Sequence, residues 1–297
     1  MTMTTEARLA QFREDGYTVF EGVHPPALLQ RWREVYDDVC RREGTLVWLG
    51  SAFEIDPELF LPAIAAPVLL DFAERVMGPF VQLDDVSINA FPSVDAATAP
   101  AATAWHRDRY SEVPQTRDYV HPLACNTIFY LQDLNPARGP LRVVPGSHRQ
   151  PIVFTPEDRQ ARRPDERLLC PRAGDVVFTH GLLAHSGTPN TSGAPRYFMS
   201  ASYNRSWMRH RIDLDGPKTR GLRDRARAEG NRRLARLLGT DDQLWDRVNP
   251  YWFMGRDEAR WQAWIDEDRQ AASGAAHVPS TLVAGAATIR TVSGRTA

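Results

Sequence analysis

The 297-residue chain carries 36 basic and 37 acidic residues, a formal net charge of −1, and 42% of it is hydrophobic. So even a balance supplies no long-range attraction to nucleic acid or to an anionic membrane, and neither is expected as a partner. No window approaches the roughly 18 apolar residues that span a bilayer, and the opening MTMTTEARLAQFREDG lacks a basic-then-apolar leader, which together predict a cytoplasmic protein.

Leu9 and Phe12 share one helical face, and Gly16 ends that helix before the strand-like YTVF. The next segment, PPALLQRWREVYDDVCRR, repeats Leu28, Leu29, Trp32, Val35, Tyr36 and Val39 at helical spacing after prolines suited to a first turn. Residues 57–77 predict two short helices, interrupted around Pro62 and Pro67. From residue 81 the character changes. VQLDDVSINAF, LACNTIFYLQDL, LRVVPGSH, DVVFTHG, LLAHSGT and RYFMSASYN are short, β-branched or aromatic, and separated by turn residues. Their even spacing predicts a mainly β fold with flanking helices, an antiparallel sandwich or barrel with the jelly roll foremost. Segments 93–104 and 109–122 read as loops over its mouth. LVWLG at 46–50 is an apolar loop that either covers the entrance or packs on the core.

Residues 205–238 hold ten arginines and Lys218. Interspersed Asp213, Asp215, Asp224 and Glu229, with no aromatic interleaving after Trp207, predict a solvated helix face and not a nucleic-acid site. NPYWFMGRDEARWQAWIDEDR, with Trp252, Phe253, Trp261 and Trp264, predicts a helix docked on the body, and the Ala-, Ser-, Gly- and Thr-rich residues from Ala271 a flexible tail. The expected organisation is one domain over residues 1–270, with core strands at about 81–206 and a tail over 271–297. Cys40, Cys125 and Cys170 are widely spaced and odd in number, matching buried free thiols better than a disulfide framework or a cysteine zinc site.

The stretch AWHRDRY at 104–110 places His106 and Asp108 two positions apart, on one face if the segment is extended. Alone, His-x-Asp reads as a surface hydrogen-bonded pair, and it takes a distal histidine with an arginine eleven residues later to reverse that reading. A third ligand would come from His185, which ends an apolar strand just before a turn. Two imidazoles and one carboxylate occupy one face of an octahedron and leave three adjacent positions open, the donor set of non-haem Fe(II) oxygenases. Eleven residues later, Arg196 opens a strand, and a hairpin-like return would bring it alongside the histidine. There it could grip a carboxylate two-pronged while the other end of that molecule chelates the metal, and a five-carbon dicarboxylate with a 2-oxo group suits both tasks.

In their order and spacing, FREDGYTVFEGV, WHRD, GPLRVVPGSH and GDVVFTHGLLAHSGTPNTSGAPR resemble the phytanoyl-CoA dioxygenase family of Fe(II)/2-oxoglutarate oxygenases. The resemblance runs from about residue 10 to about 206 and leaves the arginine- and tryptophan-rich C-terminus uncovered. It implies a double-stranded β-helix in which His106, Asp108 and His185 bind iron and Arg196 holds the far carboxylate of 2-oxoglutarate, with O2 as the further substrate. It also implies polar co-substrate contacts on the strands before and after the His-x-Asp loop, for which Asn89 and Thr127 are the matching positions. Where many relatives carry a hydroxyl residue two positions after the distal histidine, this chain has Gly187. Halogenating relatives have a small residue at the carboxylate position, so Asp108 argues for oxygen transfer.

The remaining residues read more plainly. His148 should cap the PGSH turn, and His180 should face away from His185 because of its odd offset. His121 and His210 lie in polar stretches and are expected at the surface. Trp105 and Arg107 should point away from the metal, and Arg109 and Tyr110 are candidates for substrate contact. The expected reaction is hydroxylation, desaturation or ring formation on a small molecule, as a tailoring step in secondary metabolism. Two alternatives stay open: a jelly-roll small-molecule or metal-binding protein without turnover, and a metal-dependent hydrolase or isomerase in which Arg196 grips a substrate carboxylate.

Overall fold

Two antiparallel sheets of unequal size carry the architecture. The computed structural model describes residues 3–44, 48–50, 52–99, 103–108, 113–211, 214–248 and 257–273. Its strands are β1 (Tyr17–Phe20), β2 (Trp48–Leu49), β3 (Val81–Phe91), β4 (Ala124–Tyr130), β5 (Leu141–Val143), β6 (Arg167–Leu169), β7 (Val176–His180), β8 (His185–Gly187) and β9 (Arg196–Arg205). The larger sheet runs β1-β7-β4-β9-β3-β2 and the smaller β6-β5-β8. This is the jelly roll with flanking helices that the strand spacing predicts.

Alternation along β9 sorts the interior. Tyr197, Met199, Ala201 and Tyr203 enter the core beneath the helices, so Arg196, Phe198, Ser200, Ser202 and Asn204 face the smaller sheet. On that inner face Ile128, Tyr130 and Val177 meet Leu141 and Val143 of β5, closing one end of the sandwich with apolar packing. Toward β3 the same face is lined by short polar side chains. A bulge at Asp84 interrupts the β3–β9 register between Leu83 and Asp85. It leaves Leu83 and Val86 both in the outer core, so Asp84 and Asp85 both fall on the inner side.

Helices α1 (Thr5–Asp15), α2 (Pro26–Glu43), α3 (Ala52–Ile55), α4 (Pro57–Ala65) and α5 (Pro67–Met77) flank the larger sheet. The Thr4 hydroxyl caps α1 by accepting from Ala7 N at 3.2 Å. Gly16 ends it at φ 81°, against the His148 ring, where a Cβ would come within 2.5 Å of Nδ1. Phe12, Phe20, Phe72 and Phe178 meet edge to face at 5.0–6.4 Å between the helices and the sheet. Each such burial contributes roughly 1.5–3 kcal/mol. The break expected at Pro67 is present, but α4 runs through Pro62. LVWLG supplies the edge strand β2, with Trp48 opposite Asn89 and 58% exposed; residues 45–47 lie outside the described residues.

After β9 come α6 (Pro217–Ala228), α7 (Arg232–Leu237), α8 (Leu244–Val248) and α9 (Asp257–Ser273). The solvated arginine face expected here needs correcting. Arg225 pairs with Glu58, Arg233 with Asp71 and Glu74, and Arg232 with Glu267, while buried Arg236 and Arg247 share buried Asp268. These arginines join helices far apart in sequence. Trp261 and Ile265 of α9 dock on Phe80 as expected, whereas Trp252, Phe253 and residues 274–297 lie outside the described residues. No helix among the described residues is long and apolar enough to cross a membrane. Of the cysteines, all unpaired, Cys125 is buried, Cys40 half-buried and Cys170 exposed, the last against expectation.

Candidate metal centre

His106 and His185 meet in an isolated antiparallel bridge at the edge of the smaller sheet. Their backbones exchange two hydrogen bonds, His106 N to His185 O at 3.0 Å and His185 N to His106 O at 2.9 Å. The expected strand at 106–108 is thus reduced to a single bridging residue, yet the alternation survives. Trp105 and Arg107 are buried on the far side, Trp105 Nε1 donating to Ala161 O at 2.9 Å and Arg107 Nε to Leu182 O at 3.0 Å.

One donor atom from each of His106, Asp108 and His185 lies within 4.8 Å of the others, and His185 Nε2 stands 3.6 Å from Asp108 Oδ1. Facial donors about 2.1 Å from one ion lie about 3 Å apart, so small side-chain movements would close the set on a metal. Backbone carbonyls fix both rings: His106 Nδ1 faces Ala104 O at 2.9 Å and His185 Nδ1 faces Leu183 O at 3.0 Å. With the proton held on Nδ1, each Nε2 keeps its lone pair for a ligand. The neighbouring His185 ring, followed by burial, pulls His106 down to about 4, which favours the neutral imidazole there. Asp108 is oriented by Asn126, whose Nδ2 donates to Oδ2 at 3.1 Å, and Asn126 Oδ1 accepts from Ser200 Oγ at 2.8 Å.

Arg196 is 5% exposed. Its Nη1 donates to Thr188 O at 2.9 Å and to Gly139 O, its guanidinium lies 5.0 Å from the Phe91 ring centre, and Nε has no partner among the described residues. Burial pulls it below the ordinary arginine range. A buried guanidinium with a spare donor and no carboxylate partner among the described residues is a seat for an anion. Gly139, at φ 68°, is required beside it, since a Cβ would collide with Nη1 and the Thr188 and Pro189 carbonyls. The hairpin expected between His185 and Arg196 is absent: β8 and β9 belong to different sheets, and Arg196 reaches the end of β8 from across the sandwich. A Cβ on Gly187 would lie 3.7 Å from Arg196 Nη2, so the missing hydroxyl side chain leaves space beside the guanidinium.

The two further co-substrate candidates separate. Asn89 is on the inner face, 8% exposed, with Nδ2 donating to Ser87 Oγ at 3.2 Å. Thr127 is not. It alternates with Asn126, lies fully buried on the helix side and donates to Ala201 O at 2.8 Å. Asn126 is the residue of β4 that reaches the centre.

Sequence reasoning also missed Arg142. Fully buried on β5, it donates to Ser186 Oγ at 3.3 Å, pairs with Glu166 at 3.2 Å and covers the Trp105 ring at 4.2 Å, bracing both histidine-bearing segments. Its signal, an arginine in the apolar run LRVV, is visible in the sequence.

His148 and His180 behave as expected. His148 Nε2 meets Arg13 O at 3.1 Å, and His180 lies on the helix side, 4.9 Å from His148 between ring centres. His121 does not: its Nδ1 meets Val76 O at 3.0 Å and its ring lies 4.7 Å from Trp261, so it is half-buried, as is His210. A cavity of about 520 Å³ opens beside His121, His148, His180 and Leu182, and none of the three candidate ligands lines it. Arg109 and Tyr110 lie outside the described residues.

Residues 12–198 match the family described as phytanoyl-CoA dioxygenase. The L-proline trans-4-hydroxylase of Streptomyces griseoviridis is 27% identical over 202 residues, 58% of this chain and 73% of that one. The fold is similar to HygX from Streptomyces hygroscopicus, solved with nickel and 2-oxoglutarate bound (TM-score 0.58, 15% identity, 71% of this chain and 90% of that one). It is also similar to the epimerase SnoN, solved with Fe3+, α-ketoglutarate and nogalamycin RO (TM-score 0.55, 22% identity, 70% and 86%). With the match spanning most of the chain, the protein belongs to the phytanoyl-CoA dioxygenase family of iron(II)- and 2-oxoglutarate-dependent oxygenases.

Proposed function

We propose that His106, Asp108 and His185 hold iron(II), that Arg196 receives the far carboxylate of 2-oxoglutarate, and that the enzyme hydroxylates, desaturates or cyclises a small molecule in secondary metabolism. The observation that carries this reading is the convergence of three donors from two distant segments within 4.8 Å, facing an interior that also holds a buried arginine with a spare donor. The donor set suits iron(II): two neutral imidazoles and one carboxylate, each oriented by a second group. When bound, the metal supplies O2 activation, coupling oxidative decarboxylation of 2-oxoglutarate to succinate and CO2 with oxidation of a substrate C–H bond.

The chain's own part is placement. Asn126 keeps Asp108 turned toward His185, the carbonyls of Ala104 and Leu183 hold the rings, and Arg196 orients the co-substrate. Asn89, on the same face, is proposed as a further co-substrate contact. What supports a secondary-metabolic setting is the likeness to SnoN, an epimerase from nogalamycin biosynthesis. A cytoplasmic location belongs to the proposal, supported by three unpaired cysteines.

The test is succinate formation from 2-oxoglutarate by the purified protein with Fe(II) and O2. Anaerobic addition of Fe(II) and 2-oxoglutarate should also give a weak visible charge-transfer band. A protein giving neither, or a hydrolytic or isomerising activity indifferent to 2-oxoglutarate, would overturn the reading.

A further inference from the structure

On the inner face of the larger sheet, register fixes what lies on each side of the metal centre. Asn126, which touches Asp108, is opposite Ser202, and Ser202 is opposite Asp85, so these three form one rung across β4, β9 and β3. Arg196 and Phe91 form another rung, six residues along β9. At about 3.4 Å per residue that is roughly 20 Å, with Asp108 against the β4 end of the Asn126 rung. Strands spaced about 4.8 Å apart put Asp85 on the order of 10 Å from Asn126 across the floor. With 2-oxoglutarate on the Arg196 side, the Asp85 side is left for the substrate. Ser87, Ser200 and Ser202 there are short and leave room, in contrast to the apolar packing at Ile128, Tyr130 and Val177.

Asp85 is unlike its neighbour. Asp84 is satisfied: it accepts from Arg211 N at 3.0 Å, Arg211 Nε at 2.8 Å and Asn204 Nδ2 at 3.1 Å. Asp85 is 8% exposed, and its Oδ1 has no partner among the described residues. Burial pushes its carboxyl up; Arg211 opposes this and Asp84 adds to it. Among the described residues, Arg211 is the one guanidinium that acts on the two carboxylates of this wall. A buried carboxyl of this kind is costly unless a ligand completes it.

We infer that Asp85 anchors a cationic nitrogen of the substrate, so that this oxygenase acts on an amine-bearing small molecule. This rests on the reading of the iron centre given above. The oxidised carbon then sits several bonds from that nitrogen, since the anchor and the metal are set apart across two strand spacings.

The experiment uses the full chain loaded anaerobically with Fe(II) and 2-oxoglutarate, following the visible band. Matched probes are titrated: glucosamine against glucose, and 1,6-diaminohexane against 1,6-hexanediol. In the wild type the amines should perturb the band at concentrations roughly tenfold or more below their neutral counterparts. Asp85→Asn and Asp85→Ser should keep the band and erase that preference. Without probe, Asp85→Asn should have a higher Tm than the wild type, because a buried charge answered, among the described residues, only by the Val86 N–H and the distant Arg211 is removed. Equal or absent responses to amine and neutral probes, or an amine preference that survives Asp85→Asn, overturn the proposal. So does a fall in Tm with loss of the band in both variants, which would assign Asp85 to the framework. A wild type without a band instead defeats the iron reading, and the anchor falls with it.

Discussion

Asn126 holds Asp108: its Nδ2 donates to Oδ2 at 3.1 Å, leaving Oδ1 to face His185 Nε2 at 3.6 Å. Ser200 donates to Asn126 Oδ1 at 2.8 Å, and because the Asp108 carboxylate can only accept, a flipped amide would set oxygen against oxygen there. Losing such an orienting partner costs about 10–100-fold in metal affinity. Asn126→Ala should therefore weaken Fe(II) binding by that factor, with Ser200→Ala milder, both read by anaerobic titration of the charge-transfer band. Unchanged affinity in Asn126→Ala would remove the amide from the metal site. Asp108→Ala and His185→Ala remove proposed ligands and should abolish the band and succinate formation together.

On the proposed reading Arg196 receives the co-substrate's carboxylate and Gly139 gives it room. A buried bidentate guanidinium–carboxylate contact is among the stronger hydrogen-bonded pairs, and lysine cannot reproduce its fork. Arg196→Lys should raise the KM for 2-oxoglutarate on the order of 100-fold. Gly139→Ala, at a positive φ and against the guanidinium, should raise the same KM by displacing Arg196, while Fe(II) affinity measured without co-substrate stays near wild type. Parallel losses of Fe(II) affinity in both variants would contradict this assignment.

The convergence of His106, Asp108 and His185 was legible where the chemistry is local or its order is distinctive. His106 and Asp108 form a three-residue motif, and His185 with Arg196 stands in a long stretch of fixed spacing. The partner sheets were not legible: spacing allowed a hairpin between His185 and Arg196, whereas β8 and β9 lie in opposite sheets. Thr127 failed for a related reason. Every residue of ACNTIFY is buried, so alternating polarity cannot reveal which face is inward, and parity emerges only from pairing with β9. The bulge at Asp84 hides Asp85 similarly, because strict alternation would send one of the two aspartates outward. For the arginines after residue 205, the acids that neutralise them stand as far back as Glu58 and Asp71, beyond any local reading of charge.

Stability should fall on acidification through three histidines remote from the metal centre. Burial pulls His24 and His180 down to about 3 and His148 to about 4, from 6.5 in an unfolded chain. Between pH 6.5 and those values the unfolded state binds the extra protons, so stability is full above about 6.5 and declines as pH drops. At about pH 5 each histidine contributes roughly 2 kcal/mol of this loss. His24 lies 5.0 Å from the Trp32 ring and 5.1 Å from Phe129, surroundings that accept a phenyl ring. His24→Phe should flatten the pH dependence of denaturant unfolding by about one proton. An unaltered slope would mean that His24 is not held neutral by burial.

The last expectation concerns Arg142, which ties the two histidine-bearing segments together from beneath. Its guanidinium is fully buried and meets Glu166, whose side chain is 5% exposed, at 3.2 Å; it also donates to Ala161 O and Gln160 O at 3.1 Å each. Removing Arg142 alone leaves buried Glu166 with Arg162, at 2.7 Å, and the Arg163 N–H, so the cost falls below the roughly 3–5 kcal/mol of a wholly stranded charge, whereas replacing both members removes that penalty. Arg142→Met should thus be destabilising and Arg142→Met/Glu166→Gln less so, a sign that only a buried, coupled pair gives. Recovery should be incomplete in the double variant, because the Ser186 hydroxyl and the Trp105 ring, which lean on the same guanidinium, also lose their support. Equilibrium urea unfolding of Arg142→Met, Glu166→Gln and the double variant measures both terms, and strictly additive effects would reduce Arg142 to an independent packing residue.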